Sequence, residues 1–192
     1  MRRALRSARR TRSPDPTRAA TLANAVLTHE QVRQRLADSP GSLVLGYVSL
    51  PHEPPTEDLR VRLLERGATV ALPIAHPDGS MTWIEDPGSD ARAWGVPRQP
   101  QAPPPEASAR AIDLGHATSG TAVAIVIVPA LATTADGRRL GQGGGYYDRL
   151  LAELAPADAG GPLRVVVVGP EELLADLPTD AHDQRVDVVI TG

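Results

Sequence analysis

Residues 137–149 read GRRLGQGGGYYDR and follow an apolar run, Val123–Val128, that ends at Pro129. Glycines let a backbone turn its N–H groups toward an anion, and arginine side chains add positive charge to such a cradle. The tyrosines of the stretch offer flat surfaces for stacking, and Asp148 offers oxygen ligands for a metal ion. The stretch therefore predicts a site for a nucleotide phosphate and an aromatic co-substrate.

The surroundings of this loop indicate the fold class. Runs of Val and Ile that are nearly continuous alternate along the chain with segments of helical pattern. That alternation is typical of an α/β fold, in which a mostly parallel sheet is covered by helices on both faces. Ligands of such sheets bind at the carboxyl ends of the strands, and the glycine-rich loop follows the end of the 123–128 strand.

The apolar periodicity and the Gly and Pro punctuation predict the individual elements. Helices are expected over 2–12, 17–37, 56–66, 145–154 and 171–176. Strands are expected over 43–50, 68–74, 81–85, 123–128, 164–168 and 186–190. A proline-rich stretch within 97–110 is expected to be a surface connection and not a domain boundary.

Length and composition limit the class of protein. The 192 residues are enough for one domain over 1–192, and 41% hydrophobic with 22% charged residues is ordinary for a globular protein. The absence of Cys excludes disulfides, thiolate catalysis and zinc sites built on Cys. No apolar run approaches the roughly 20 residues that a membrane span needs, and no signal-peptide pattern follows the first arginines. We therefore expect a cytoplasmic protein, with a mitochondrial address as the alternative that the Arg-rich start leaves open.

The charge is unevenly distributed along the chain. Residues 1–18 carry a net charge of +6, whereas the remainder carries −9. A basic arm is compatible with nucleic-acid binding, but the acidic body argues against it. All 20 basic residues are Arg, so phosphate contacts must come from Arg, backbone N–H groups and a metal ion.

The glycine-rich loop is neither of the common nucleotide motifs. It lacks the Gly-Lys-Ser/Thr ending of a Walker motif, and Tyr146 stands where the dinucleotide fingerprint has its third Gly. The full 13-residue string, preceded by Val-Pro-Ala-Leu-Ala at 128–132, resembles the signature of the 5-formyltetrahydrofolate cyclo-ligases, also called methenyltetrahydrofolate synthetases.

The resemblance covers nearly the whole chain and implies a set of site residues. It implies ATP contacts from Arg2, Arg3, Arg6, Arg139, Leu140, Gly141, Gln142, Gly143, Gly144, Gly145, Tyr146 and Tyr147. It implies folate contacts from Val48, Glu53, Met81, Trp83, Trp94 and the loop residues Gln142, Gly143, Gly144, Gly145 and Tyr146. Arg139 and Tyr146 would be catalytic, and Asp148 and Asp183 would hold magnesium.

The resemblance also implies a fold and a reaction. The fold would be a single-domain, Rossmann-like three-layer sandwich. ATP would phosphorylate the formyl oxygen of 5-formyltetrahydrofolate, nitrogen 10 would attack the activated carbon, and 5,10-methenyltetrahydrofolate, ADP and phosphate would be released. We expect Mg²⁺ as cofactor, ATP and the folate as partners, no nucleic acid or membrane partner, and a monomer.

The residue chemistry is compatible with these roles, and plainer alternatives stay open. Phosphoryl transfer depends on positioning and charge neutralisation, which Arg139 and two carboxylates can supply. Asp148 is also an ordinary residue for the first turn of a helix, Asp183 an ordinary turn residue, and Glu53 an ordinary exposed loop acid.

Several positions depart from the family pattern, among them Ala130, Thr133, Arg98, Gln142 and Glu172. They put the folate contacts, and hence affinity or activity, in question more than the phosphate and metal sites. Two other functions therefore remain: a folate- or nucleotide-binding relative without ligase activity, and a nucleic-acid-binding module that uses the Arg-rich arm.

Overall fold

The computed structural model describes residues 1–13, 15–88, 111–114, 123–178, 180 and 182–192. The predicted folate contact Trp94, the departure at Arg98 and the 97–110 connection lie outside these described residues. The helices are α1 (Arg2–Thr11), α2 (Arg18–Thr28), α3 (Glu30–Asp38), α4 (Glu57–Glu65) and α5 (Tyr146–Glu153). The strands are β1 (Leu43–Leu45), β2 (Thr69–Ala75), β3 (Met81–Glu85), β4 (Ala111–Ile112), β5 (Val123–Pro129), β6 (Ala132–Thr134), β7 (Arg139–Leu140), β8 (Leu163–Val168), β9 (Leu173–Leu174) and β10 (Val188–Thr191).

Seven of these strands form the main sheet, in the order β10-β8-β5-β1-β2-β3-β4. The pairs from β10 to β2 are parallel, whereas β3 and β4 add at one edge in antiparallel orientation. The prediction of a mostly parallel sheet is confirmed.

The central strands are buried on both faces because successive side chains point to opposite sides of the sheet. On one face, Ile125 and Ile127 pack in a core with apolar side chains of α2, α3 and α4. On the other, Val126 and Val128 pack with Leu150 and Leu151 of α5. Helices therefore cover both faces, which confirms the predicted α/β sandwich.

Two predicted elements are shorter than expected. The 17–37 helix is two helices, because His29 takes an extended conformation (φ −59°, ψ 129°) between α2 and α3, and the break lets both helices turn apolar residues to one core. The 43–50 strand ends at Leu45: the N–H of Gly46 still bonds to the carbonyl of Ala71, after which the chain leaves the sheet. Because the chain leaves here, residues 47–56 form a loop above the strand ends.

The predicted helix over 171–176 is wrong. Pro170–Glu172 is a single 3-10 turn, and Leu173–Leu174 then pairs in parallel with β6 as strand β9. The side chain of Glu172 accepts a hydrogen bond from the backbone N–H of Gly169 (2.8 Å), which closes the turn on itself. Together with β7, which pairs with β6, this segment forms a second sheet of order β7-β6-β9 that the sequence did not reveal.

The described part of the chain contains no helix that is both long enough and apolar enough to cross a membrane.

Gly137, between β6 and β7, lies against the C-terminal segment and accepts a hydrogen bond from the N–H of Val186 (3.0 Å). Its φ is 82°, and a Cβ built on it would lie 2.2 Å from the carbonyl oxygen of Val186. We expect Gly137→Ala to lower the free energy of unfolding by about 3 kcal/mol or more, because left-handed strain and backbone overlap add. Chemical denaturation measures this change.

Gly160→Ala is the matched control, because Gly160 has φ 85° but no atom lies within 4 Å of a Cβ placed on it. Left-handed strain alone should cost about 1 kcal/mol there. Equal losses at the two positions would contradict the overlap at Gly137.

Candidate active site

A cavity of about 360 Å³ lies at the carboxyl ends of β2 and β5. Pro73 and Ala75 of β2 and Pro129 of β5 contribute to its wall, opposite the glycine-rich loop. Its place agrees with the rule that ligands of open α/β sheets bind at strand ends. The glycine-rich loop, Asp148 and Asp183, which the sequence predicts to bind phosphate and metal, line this cavity.

Arg139 is the buried cation of this cavity. It is 5% exposed, and its guanidinium donates to Oδ1 of Asp148. Burial lowers the pKa of Arg139, and the nearby charges of Asp148 and Asp183 oppose that shift. Its Nε is buried and has no hydrogen-bond acceptor among the described residues. A buried donor without a partner costs free energy that a bound anion would recover.

Asp148 and Asp183 line the same cavity from different segments. Asp148 stands in the first turn of α5, where the helix dipole favours negative charge, and its Oδ1 also accepts from the backbone N–H of Gln184 (3.2 Å). Oδ2 of Asp183 accepts from the backbone N–H of Asp180 (2.8 Å). Both side chains are thus held by contacts that leave them in the wall of the cavity.

The two carboxylates fit the kind of site that Mg²⁺ uses. Among the described residues there is no group of three or more His, Asp or Glu side chains that could hold a metal by itself. Mg²⁺, however, is commonly bound by one or two carboxylates together with substrate phosphates. Asp148 and Asp183 offer such a pair beside a phosphate cradle.

The glycine-rich loop owes its shape to positive φ angles. Gly143 has φ 105°, and Gly145 has φ 67° at the position that caps α5. Between them, a Cβ on Gly144 would lie 2.8 Å from the ring of Tyr146. The loop therefore needs glycine for conformation at two positions and for space at the third, and it leads directly into the N-terminus of α5, which favours anions.

Helix α1 lies against this loop. Nε of Arg2 donates to the carbonyl of Gly141 (3.1 Å), and Arg6 donates to both the side chain (2.9 Å) and the carbonyl (2.7 Å) of Gln142. Arg3 is exposed on the same helix and, unlike Arg2, is not among the described residues that line the cavity. The structure thus brings Arg2 and Arg6 to the predicted phosphate loop, but not Arg3.

A second cavity, of about 630 Å³, lies between α1 and the loop that follows β1. Val48 and Glu53, both predicted to contact folate, line it. The carboxylate of Glu53 accepts from the backbone N–H of Leu50 (3.0 Å) and from the side chain of Gln142 (3.0 Å). The Gln142–Glu53 bond joins the two cavities, so the predicted nucleotide and folate residues are adjacent.

Arg9 is a residue of this region that was not predicted from the sequence. It is 4% exposed and donates to Glu172 from Nε (2.7 Å) and NH2 (2.9 Å), and to the carbonyl of Ala130 (2.5 Å). Its NH1 lies 3.7 Å from Glu53. The signal was present: residues 2, 6 and 9 lie on one face of a helix, so Arg9 follows the two predicted phosphate contacts.

Glu172, one of the departures from the family pattern, is the partner that keeps Arg9 buried. Burial by itself raises the pKa of Glu172, but the hydrogen bonds from Arg9 and from the Gly169 N–H, with the charges of Arg9 and Arg12, outweigh it. The pKa of Glu172 in the folded protein is therefore below its ordinary value. The departure at this position is part of an ion pair of the chain and not a lost contact.

The aromatic and apolar residues divide between the cavity and the core. Tyr146, Tyr147 and Met81 line the 360 Å³ cavity. Burial raises the pKa of Tyr147, and its hydroxyl is buried without a hydrogen-bond partner among the described residues. Trp83, predicted to contact folate, is 3% exposed and packs in the core below α5, because strand alternation turns it inward. It is not among the described residues that line either cavity.

Comparison with known proteins shows which family this chain belongs to. The model of the 5-formyltetrahydrofolate cyclo-ligase family matches residues 1–192. A protein of Mycolicibacterium smegmatis named 5-formyltetrahydrofolate cyclo-ligase is 34% identical over 196 residues, which cover 94% of each chain. A mouse protein of the same name is 33% identical over 66 residues, or 34% of this chain and 32% of the mouse protein.

Two solved structures share the fold. The 5,10-methenyltetrahydrofolate synthetase of Aquifex aeolicus has a TM-score of 0.70 at 23% identity, covering 99% of this chain and 87% of the other. The 5,10-methenyltetrahydrofolate synthetase of Mycoplasma pneumoniae has a TM-score of 0.64 at 15% identity, covering 98% and 94%. At these identities, the likeness concerns the fold.

Proposed function

Because the chain belongs to the 5-formyltetrahydrofolate cyclo-ligase family, we propose that it is an ATP-dependent enzyme that converts 5-formyltetrahydrofolate to 5,10-methenyltetrahydrofolate. Residues 1–192 act as one domain in this proposal. One observation carries it: a buried arginine, a glycine-rich loop, two carboxylates and a tyrosine meet in one cavity at the strand ends.

The phosphates of ATP bind at the glycine-rich loop. Backbone N–H groups of the loop and the N-terminus of α5 face the anion, and Arg2 and Arg6 add charge from α1. Arg139 neutralises the phosphoryl group that is transferred, which is the main task of a protein in such reactions. The two buried donors without partners, Nε of Arg139 and the hydroxyl of Tyr147, support an anion at this place.

Mg²⁺ bound by Asp148, Asp183 and phosphate oxygens would neutralise part of the phosphate charge. Asp148 also accepts a hydrogen bond from the guanidinium of Arg139. Asp148 therefore has two tasks in this proposal: it is a ligand, and it orients the arginine.

The folate lies between the glycine-rich loop and Glu53, which stands in the loop that follows β1. Glu53 accepts hydrogen bonds from the pterin amino group and ring N–H, in place of its present bond to Gln142, and Tyr146 packs on the ring system. The formyl oxygen attacks the terminal phosphorus and ADP leaves. Nitrogen 10 then attacks the activated formyl carbon and loses its proton, the carbon–oxygen bond breaks, and phosphate leaves with the oxygen.

The contacts of α1 bear on the nucleic-acid alternative. Arg2, Arg6 and Arg9 all donate hydrogen bonds to other segments of the chain. Because three arginines of this helix bond to other segments of the chain, a role in ligand binding is favoured over a free basic arm. Salt-sensitive binding of DNA or RNA at low micromolar concentration would argue the opposite.

The activity assay is direct. Purified protein, 5-formyltetrahydrofolate, ATP and Mg²⁺ are mixed, and the absorbance of methenyltetrahydrofolate is followed. We expect this absorbance to rise, and the rise should require both ATP and Mg²⁺. A protein that binds folate tightly but gives no ATP-dependent product at high enzyme concentration would instead be a relative without ligase activity.

Tyr146→Ala tests the folate side. We expect the KM for 5-formyltetrahydrofolate to rise at least about tenfold, which corresponds to about 1.4 kcal/mol of lost stacking and packing. The KM for ATP should change less than about twofold, since backbone groups and arginines bind the phosphates. An unchanged folate KM would remove Tyr146 from the folate pocket.

A further inference from the structure

Arg149 lies one turn after Tyr146 in α5 and reaches across to the turn between β2 and β3. Its Nε (3.1 Å) and NH2 (2.9 Å) both donate to the carbonyl of Gly79, and NH2 also donates to the carbonyl of Gly144 (3.0 Å). Its guanidinium carbon lies 5.2 Å from the centre of the Tyr146 ring. One side chain therefore contacts the β2–β3 turn, the glycine-rich loop and the predicted folate-stacking ring.

Tyr146 makes the second link to the same turn. Its hydroxyl donates to the carbonyl of His76 (2.8 Å). His76 and Gly79 are the two ends of a tight turn, in which the N–H of Gly79 bonds to the carbonyl of His76 (3.0 Å). Tyr146 and Arg149 thus hold both ends of this turn.

The close approach of the Arg149 side chain to two backbone segments depends on glycine. Gly79 has φ 89°, and a Cβ on it would lie 2.8 Å from NH2 of Arg149. Gly145 has φ 67°, and a Cβ on it would lie 2.9 Å from NH1 of Arg149. Glycine at both positions therefore leaves free the space that the Arg149 guanidinium occupies.

The linked segments are opposite walls of the 360 Å³ cavity. Ala75 and Met81, the strand residues on either side of the turn, line one wall, and Gly141–Tyr146 line the other. A link between the turn and the loop sets how far apart these walls stand. It also fixes the orientation of the Tyr146 ring, because the cation packs on the ring and the hydroxyl is anchored.

We propose that Arg149 is a positioning residue for substrate binding: it orients Tyr146 and sets the separation of the two cavity walls for the folate ring system. This inference rests on the proposed function of the same cavity. Among the described residues, no carboxylate is within ion-pair distance of Arg149, and its hydrogen bonds go to backbone carbonyls. These contacts depend on the planar guanidinium, which donates twice to one carbonyl and packs on the Tyr146 ring at the same time. A lysine ammonium cannot reproduce that combination.

The test compares Arg149→Met and Arg149→Lys with wild type. We expect Arg149→Met to raise the KM for 5-formyltetrahydrofolate about tenfold and the KM for ATP less than about twofold, with kcat changed less than about threefold. Arg149→Lys should recover only part of the affinity. Glu153→Gln, on an exposed position of the same helix, is the matched control and should leave all three parameters unchanged.

A double-mutant cycle shows whether Arg149 acts through Tyr146. In a Tyr146→Ala background, Arg149→Met should raise the folate KM by a smaller factor than in wild type, because the ring that it positions is gone and only its effect on the wall separation remains. Full additivity, equal rises in both KM values, or a rise that only follows a fall in Tm would overturn the inference.

A binding measurement separates this inference from the proposed function. Calorimetric titration of 5-formyltetrahydrofolate into wild type and Arg149→Met needs no turnover. If wild type binds the folate without producing methenyltetrahydrofolate, the proposed function fails while a tenfold affinity difference still supports the role of Arg149. If both proteins bind equally, the positioning role fails even when wild type is active.

Discussion

Asp148→Asn lowers the turnover number at least about 100-fold while Tm changes by less than about 3 °C, if Asp148 is both a metal ligand and the partner of Arg139. The amide keeps an oxygen that can accept the two hydrogen bonds that Oδ1 now accepts, from Arg139 and from the N–H of Gln184. It loses the negative charge, which both Mg²⁺ and the guanidinium require. Chemistry should therefore suffer much more than folding.

The measurements are kcat over a range of Mg²⁺ concentrations and Tm in the same buffer. The Mg²⁺ concentration for half-maximal activity should rise at least about tenfold in both Asp148→Asn and Asp183→Asn, because each removes one of two charged ligands. Asp158→Asn, an exposed acid that is not among the described residues lining the cavity, is the control. Parallel losses of activity and stability in Asp148→Asn would instead indicate a structural role at the start of α5.

The second large effect concerns stability. Glu172→Ala should lower the free energy of unfolding by about 3–5 kcal/mol, because it removes the carboxylate that accepts two hydrogen bonds from the buried guanidinium of Arg9 and leaves it the more distant carboxylate of Glu53 (3.7 Å). Arg9 is 4% and Glu172 is 2% exposed, so the ion pair is shielded from water in the folded protein. Urea denaturation at neutral pH measures the change.

Two comparisons show whether burial is the cause. Asp176→Ala removes an exposed partner of Arg138, in a pair at 2.6 Å in which Asp176 is 82% exposed, and should cost less than about 1 kcal/mol. Replacing both members of the buried pair, as Arg9→Met with Glu172→Leu, should recover much of the loss. A small effect of Glu172→Ala alone would contradict the buried ion pair.

The same pair predicts a pH dependence. Because the folded protein lowers the pKa of Glu172, the stability that this carboxylate contributes is fully present above its ordinary pKa of 4.5. It is lost as the pH falls through the folded pKa. The difference in stability between wild type and Glu172→Gln should therefore shrink below about pH 4.5 and stay constant above it.

Local patterns are enough to predict six of the seven strands of the main sheet, all except β4. The Val and Ile runs of β5 and β8 are recognisable because both faces of a parallel strand are buried, which leaves a continuous apolar signature. The small sheet β7-β6-β9 has no such signature, because its strands are two or three residues long and β9 pairs with a strand 40 positions earlier, Thr133 with Leu173. For that reason the local pattern around Leu173–Leu174 predicts a helix where the structure has a strand.

The candidate site likewise has some features with a local sequence signature and others without one. Composition and order within 137–149 predict a phosphate-binding loop, since glycine conformation and arginine charge are properties of the residues themselves. The pairing of Arg9 with Glu172, 163 positions apart, and the reach of Arg149 to Gly79, 70 positions away, have no local signature. The sequence by itself determined the fold class and the chemistry of the loop. Only the tertiary structure decided which charges are buried together and which walls face each other, because burial and distance arise when segments far apart in the chain pack side by side.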